Sequence, residues 1–343
     1  MQIVNDIKTI IQNANQNTYK SINLEMVRAY WLIGKRIVEE EQQGEARAVY
    51  GKGIIKTISN HLQTEFGKGF SERNIEQMRL LYITYPIPQT LSAESFSVEI
   101  TGNKPTGLPD FKLSWLHYQM LMRIENKDER MFYEIEAVAN GWSLRELKRQ
   151  FDSGLYMRLA LSKDKNGIKI LSQAGQIVEK SKDLIKDPYI LEFLNLNEHY
   201  RYSESDLENE LIDKLEYFLL ELGKGYTFVA RQKRITFDER QFYIDLVFYN
   251  RLLRCFVIID LKIGDLKHQD IGQMQMYVNY YDRFVKTEDE NKTIGIVLCK
   301  DKSETLVEIT LPEDNEQIFA SRYQTILPNK EELKMLLQQH TGK

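Results

Sequence analysis

Partway along the chain the hydrophobic period changes, and that change limits the folds open to it. Up to about Ser162 apolar residues recur at steps of three and four. Within residues 21–42, Leu24, Val27, Tyr30, Trp31, Ile33, Ile37 and Val38 make the stripe of a long amphipathic helix. Further helices are expected over 53–65, 74–85, 114–123, 128–140 and 143–152, with Ser71 and Ser143 placed as N-caps. The three tryptophans, Trp31, Trp115 and Trp142, all fall in this half and are expected to anchor its core. After residue 205 the pattern differs. One helix over 205–222, capped by Ser205 with Glu208 three residues on, leads into strand-like runs at 226–235, 242–249 and 255–262. A helix over 269–284 and an apolar run at 293–299 complete the order helix, strand, strand, strand, helix, strand, which fits a mixed sheet flanked by helices.

At 343 residues the chain is long enough for two domains. The expected class is α+β: an all-helical N-terminal domain over 1–162 and a C-terminal α/β domain over 163–343, with a linker near 163–204. Residues 86–109, rich in Pro, Ser, Thr and Gly, read as a surface loop. Hydrophobic residues at 42% and charged residues at 28% are globular values, which removes disordered, fibrous and membrane classes. The first residues carry no basic stretch ahead of an apolar one, so no secretory signal is expected. The two cysteines, Cys255 and Cys299, sit in apolar runs and cannot frame a disulfide scaffold, which makes the cytoplasm the expected compartment. A net charge of −4 argues against coating nucleic acid by bulk charge. Up to residue 160 the charges nearly balance, so a local basic patch is better sought there.

The chemistry concentrates where acids interrupt apolar runs. In a strict alternation Phe242, Ile244, Leu246 and Phe248 share one face of their strand, and Tyr243, Asp245, Val247 and Tyr249 the other. Asp260 and Lys262 share a face of the next strand with Ile258. A lone carboxylate in a buried strand costs several kcal/mol unless compensated. Two acids and a lysine on the two arms of a hairpin suggest a shared compensator. A divalent cation such as Mg²⁺, which binds one or two carboxylates plus water and phosphate oxygens, is one; a structural ion pair with Lys262 is the other.

Asp245 followed by Asp260-Leu261-Lys262 resembles the signature of the PD-(D/E)XK nuclease superfamily, whose restriction-endonuclease-like core is an αβββαβ unit. The longer strings YWLIGKRIVEEEQQGEARAVYG, EFGKGFSERNIEQMRLLYITYP, LSWLHYQMLMRI and NGWSLRELKRQF are similar to the YhcG-like family, and FLLELGKGYTFVARQKRI and FYIDLVFYNRLLRCFVIIDLKIG are similar to its C-terminal nuclease domain. The resemblance implies a metal-dependent nuclease, an endonuclease acting on DNA. Asp245 and Asp260 would hold Mg²⁺ or Mn²⁺, and Lys262 would polarise water or neutralise charge on the phosphate. It further implies an acid from the preceding helix, Glu208 with Glu210 and Glu216 as rivals, and a polar residue from the following helix, Gln273. Two departures from the family pattern stand out: Ile244 precedes the first acid where proline is usual, and the second acid is Asp260 where glutamate is commoner. The alternative function is a non-cleaving nucleic-acid-binding or assembly protein built on the same fold.

In the first half, helix 53–65, the turn at 67–70 and the helix after Ser71 resemble a helix-turn-helix that would bind DNA or a partner, with Lys68, Arg73 and Arg79 as nucleic-acid contacts. The five histidines lack zinc-site spacing, though His268 lies near Lys262 in sequence. No phosphate-loop motif and no serine- or thiol-nucleophile motif occurs. Nucleic acid is the expected partner and a membrane is not; a homo-oligomer is allowed and not required.

Overall fold

The computed structural model describes residues 2–43, 48–86, 109–161, 163, 165–196, 202–237 and 239–341. The loop expected over 86–109 falls almost wholly outside the described residues. Two compact units divide the chain, Met1–Lys148 and Arg149–Lys343. No helix of the described residues is long and apolar enough to cross a membrane.

The first unit is helical: α1 (Gln2–Gln43), α2 (Ala48–Phe66), α3 (Glu72–Thr84), α4 (Trp115–Leu121), α5 (Lys127–Asn140) and the start of α6 (Leu144–Asp152). The stripe read in the sequence is the buried side of α1. Val27, Trp31 and Ile37 are buried, and Ile75, Met78 and Leu81 of α3 are buried likewise. The two helices approach so closely at Gly34 that a Cβ there would stand 2.0 Å from the Met78 carbonyl oxygen. Trp31 donates its indole N–H to the Tyr85 carbonyl at 2.9 Å. Trp115 and Trp142 are only partly buried, so one tryptophan of the three is a full core anchor. A single 3₁₀ turn, Lys68–Phe70, joins α2 to α3, and the Ser71 hydroxyl accepts from Asn74 N as the N-cap of α3.

The second unit carries α7 (Leu155–Leu161), α8 (Lys165–Ala174), β1 (Tyr189–Ile190), α9 (Glu204–Asp213), α10 (Leu215–Leu222), β2 (Tyr226–Phe237), β3 (Arg240–Asn250), β4 (Cys255–Leu261), α11 (His268–Phe284), β5 (Ile294–Cys299), α12 (Glu304–Thr310), β6 (Ile318–Gln324) and α13 (Lys330–Thr341). The strands form one mixed sheet in the order β1-β6-β5-β4-β3-β2. β2, β3 and β4 are antiparallel neighbours, and β4, β5, β6 and β1 run parallel. The αβββαβ order stands, extended beyond β5 by β6 and β1. Leu207, Leu211, Phe218 and Leu222 of α9 and α10 cover one side of the sheet with Leu246, Phe248, Val257 and Ile259. Ile271, Met274, Tyr277 and Val278 of α11 cover the other with Val247, Ile258 and Val297. α11 lies directly against β5: a Cβ on Gly295 would stand 2.5 Å from Met274 Sδ.

The structure differs from the expectations at three places. Residues 163–204 are not a free linker, because Leu184, Tyr189, Leu191 and Leu194 belong to the sheet core and β1 pairs in parallel with β6. Compact packing divides the chain after Lys148, fourteen residues before the expected boundary. Arg158, fully buried, pairs with the equally buried Glu221 at 2.7 Å, which ties α7 to α10. Burial works to raise the Glu221 carboxyl, but Arg158, Lys186 and Arg149 outweigh it and hold the group down at about 2. Finally, the helix expected over 205–222 breaks at Lys214, and its cap is Ser203: the Ser203 hydroxyl accepts from Asp206 N and the Asp206 carboxylate accepts from Ser203 N. Glu208 is thereby released from any capping role.

Candidate active site

The β3–β4 hairpin is closed by a turn in which the buried Asn250 side chain accepts from Leu252 N and Leu253 N. From there β3 and β4 pair as far as Leu246 and Ile259. At the next step the backbone ladder stops and a side chain takes over: Asp245 Oδ2 accepts from Leu261 N at 2.8 Å. The alternation of β3 also breaks at Asp245. Phe242 and Ile244 pack on the α11 side, whereas Leu246 and Phe248 pack on the α9–α10 side. The strict two-residue pattern read from the sequence therefore fails at the first acid.

Asp260 is 2% exposed, and its Oδ2 lies 2.8 Å from Lys262 Nζ in an ion pair that falls short of hydrogen-bond geometry. Burial and the Asp245 charge push the Asp260 carboxyl up to about 7, against the opposing pull of Lys262. Burial works to lower the Lys262 ammonium, but Asp260 outweighs it and the net direction is up. Lys262 Nζ also lies 3.7 Å from Glu204 Oε2 at the start of α9. One turn on, Glu208 is buried and accepts from Gln232 Nε2 at 2.5 Å, and the same amide donates to Asp245 at 3.2 Å. Burial raises the Glu208 carboxyl, the Gln232 hydrogen bond opposes this, and the Asp245 charge adds to the rise. Its Oε1 is buried without a hydrogen bond, with Arg231 Nε at 3.5 Å.

Asp245, Asp260, Lys262 and Glu208 thus gather at the open end of the hairpin. The residues fit a hard cation on one observation: acids that repel one another are held together in burial, and each of Asp260 and Glu208 has an oxygen lacking a hydrogen bond. Among the described residues no three Asp, Glu, His or Cys side chains form a ready metal cage, so water and substrate oxygens would complete the coordination.

Comparison with known proteins bears on the same regions. Residues 182–338 match the YhcG PDDEXK nuclease domain and residues 6–158 match the DUF1016 N-terminal domain. The putative nuclease YhcG of Escherichia coli (strain K12) is 39% identical over 348 residues, which span 97% of this chain and 92% of that protein. The chain belongs to the YhcG family. Its fold is that family's helical N-terminal region followed by a PD-(D/E)XK nuclease domain. Two solved structures also align, at low scores. A repair endonuclease from Pyrococcus abyssi is 17% identical with a TM-score of 0.26, over 38% of this chain and 50% of that one. EndoMS in a complex with double-stranded DNA is 15% identical with a TM-score of 0.27, over 39% and 50%.

Other expected residues lie at varied removes from the acids of this YhcG-family chain. Gln273 touches no carboxylate: its amide donates to Tyr277 Oη at 2.5 Å, and that hydroxyl donates to the Tyr243 carbonyl at 2.8 Å. Glu210 pairs with Lys214, and Glu216 is exposed on α10. His268 is exposed in the first turn of α11. Nothing in the residue order marks Gln232, Glu204 or Tyr277 as neighbours of the acids. Gln232 owes its aim to a positive φ of 44° and to a bulge in β2 between Phe228 and Ala230, neither of which its residue type announces. In the helical unit, Lys68 and Arg73 line a concavity of about 520 Å³ together with Asn74, Gln77, Gln119 and Arg123. Arg79 is engaged elsewhere, its Nε donating to the Glu41 carboxylate at 2.7 and 3.0 Å.

Proposed function

We propose that the chain is a divalent-metal-dependent endonuclease that hydrolyses phosphodiester bonds of DNA. What carries the reading is the pairing of Asp245 and Asp260 at the hairpin mouth, with the Lys262 ammonium 2.8 Å from the second acid. Asp245 and Asp260 would hold the ion, Mg²⁺ or Mn²⁺. Bound there, the ion would supply charge neutralisation at the phosphate and a more acidic water. Lys262 keeps its proton beside Asp260 and offers it as a hydrogen-bond donor to water or to a phosphate oxygen. Glu208 adds a third acid, oriented by the Gln232 amide that also binds Asp245. Gln273 acts at one remove, fixing Tyr277 and through it the β3 backbone at Tyr243. Lys68 and Arg73, joined by Arg123, supply a second contact with the same polymer.

Asp245→Ala or Asp260→Ala should reduce Mg²⁺-dependent DNA cleavage by at least about 10²-fold, while circular dichroism and DNA binding stay close to wild type. Cleavage at the wild-type rate in either variant would remove the proposed site. Binding without cleavage in the wild type, across DNA and RNA with Mg²⁺ or Mn²⁺, would favour the non-cutting reading instead.

A further inference from the structure

β2 and β3 run on past the end of their pairing with β4 as a two-stranded ribbon. β3 meets β4 only from Leu246 to Asn250, whereas β2 and β3 stay paired as far as Phe237 and Arg240. One face of the ribbon is apolar, with Ile235, Phe237, Phe242 and Ile244 packed into the α11 cluster. Arg234 and Tyr243 alternate with those residues and so lie on the opposite face, where they are direct partners across the two strands. Both are exposed, Tyr243 to 47%. Tyr243 stands two residues before Asp245, about 7 Å along the strand. Across the ribbon, Gln232, two residues before Arg234, donates to that same aspartate.

Cations on an edge strand discourage pairing with other sheets, which accounts for a charge at position 234. It does not account for an aromatic ring left half exposed beside that charge. Among the described residues the Tyr243 hydroxyl reaches only its own strand, donating to Gln241 Oε1 at 3.2 Å. A cation and a free ring face, side by side and next to the acids, match the two repeating features of a nucleic-acid strand, phosphate and base.

We infer that this face holds the strand next to the phosphate that is cut, with Arg234 against a backbone phosphate and the Tyr243 ring stacked on an unpaired base. The inference rests on the nuclease reading and narrows its substrate class to nucleic acid whose bases beside the cut are unpaired. A base inside a duplex has both faces covered by its neighbours and offers none to Tyr243, whereas phosphate contact is indifferent to pairing.

The test uses the full chain carrying Asp260→Asn and follows binding of fluorescent single-stranded and fully paired DNA of one sequence over a salt series. Tyr243→Ala should weaken single-strand binding about ten-fold and leave duplex binding nearly unchanged, while Tyr243→Phe, which keeps the ring, should bind as the parent does. Arg234→Ala should weaken both and reduce the slope of log affinity against log salt by about 1. Equal losses on both DNAs with Tyr243→Ala, or an unchanged salt slope with Arg234→Ala, overturn the inference and leave the nuclease reading standing. Wild-type cleavage is the separate readout: a chain that cuts no nucleic acid with Mg²⁺ or Mn²⁺ overturns that reading and the inference with it.

Discussion

Asp260 holds its proton to about pH 7 in the metal-free protein because burial and the Asp245 charge oppose its ionisation. The ordinary value is 3.8, so the folded chain binds this proton more tightly than the unfolded chain does. Stability is then full below about pH 4 and falls as pH rises towards 7, by on the order of a few kcal/mol above that window. Asp260→Asn removes the titration. In EDTA its melting temperature should exceed that of the wild type at pH 8, with the difference shrinking towards zero near pH 4. A difference that is constant with pH would mean that the acid is not strained in the way its surroundings imply. The two aspartates and Lys262 were legible in the sequence because a charge inside an apolar strand is conspicuous. Gln232 was not, because its role depends on a backbone twist that a basic, polar run does not advertise.

Between elements, the buried Arg158–Glu221 pair ties α7 to α10 within the second unit. Removing one partner of such a pair leaves an uncompensated buried charge and costs about 3–5 kcal/mol. A fragment over 149–343 should therefore melt cooperatively. One over 163–343, which lacks Arg149 and Arg158, should be destabilised by at least that amount in urea denaturation; equal midpoints would place the boundary at 162 after all. β2 to β5 and α11 were legible from their hydrophobic period. β1 and β6 were not: the first is two residues long, and the second, IFASRYQ, mixes polar and apolar residues. The cap of α9 was misplaced for a definite reason. Ser203 and Ser205 each have an acid three residues on, and the choice falls on the pair that lets Leu207, Glu208 and Leu211 turn inward.

Across the whole molecule, the helical unit carries its own basic concavity, and Lys68, Arg73 and Arg123 form no salt bridge among the described residues. An isolated 1–148 fragment should bind DNA with an affinity that falls steeply with salt, and Lys68→Ala with Arg73→Ala should flatten that dependence by about 2 in slope. Salt-independent binding, or none at low salt, would remove DNA contact from this unit. The turn between α2 and α3 was legible because its turn and cap residues are local; Arg123 was not, because only packing brings α4 beside α3. Gly295 shows how far the consequences of packing travel. It has no chemistry of its own, yet any side chain there must displace the Met274 and Val278 side chains that seat α11 on β5, and α11 carries the Gln273–Tyr277 brace on the strand of Asp245. A relative could thus keep every acidic residue and still be silent, its defect written in a position that an inventory of reactive groups would pass over.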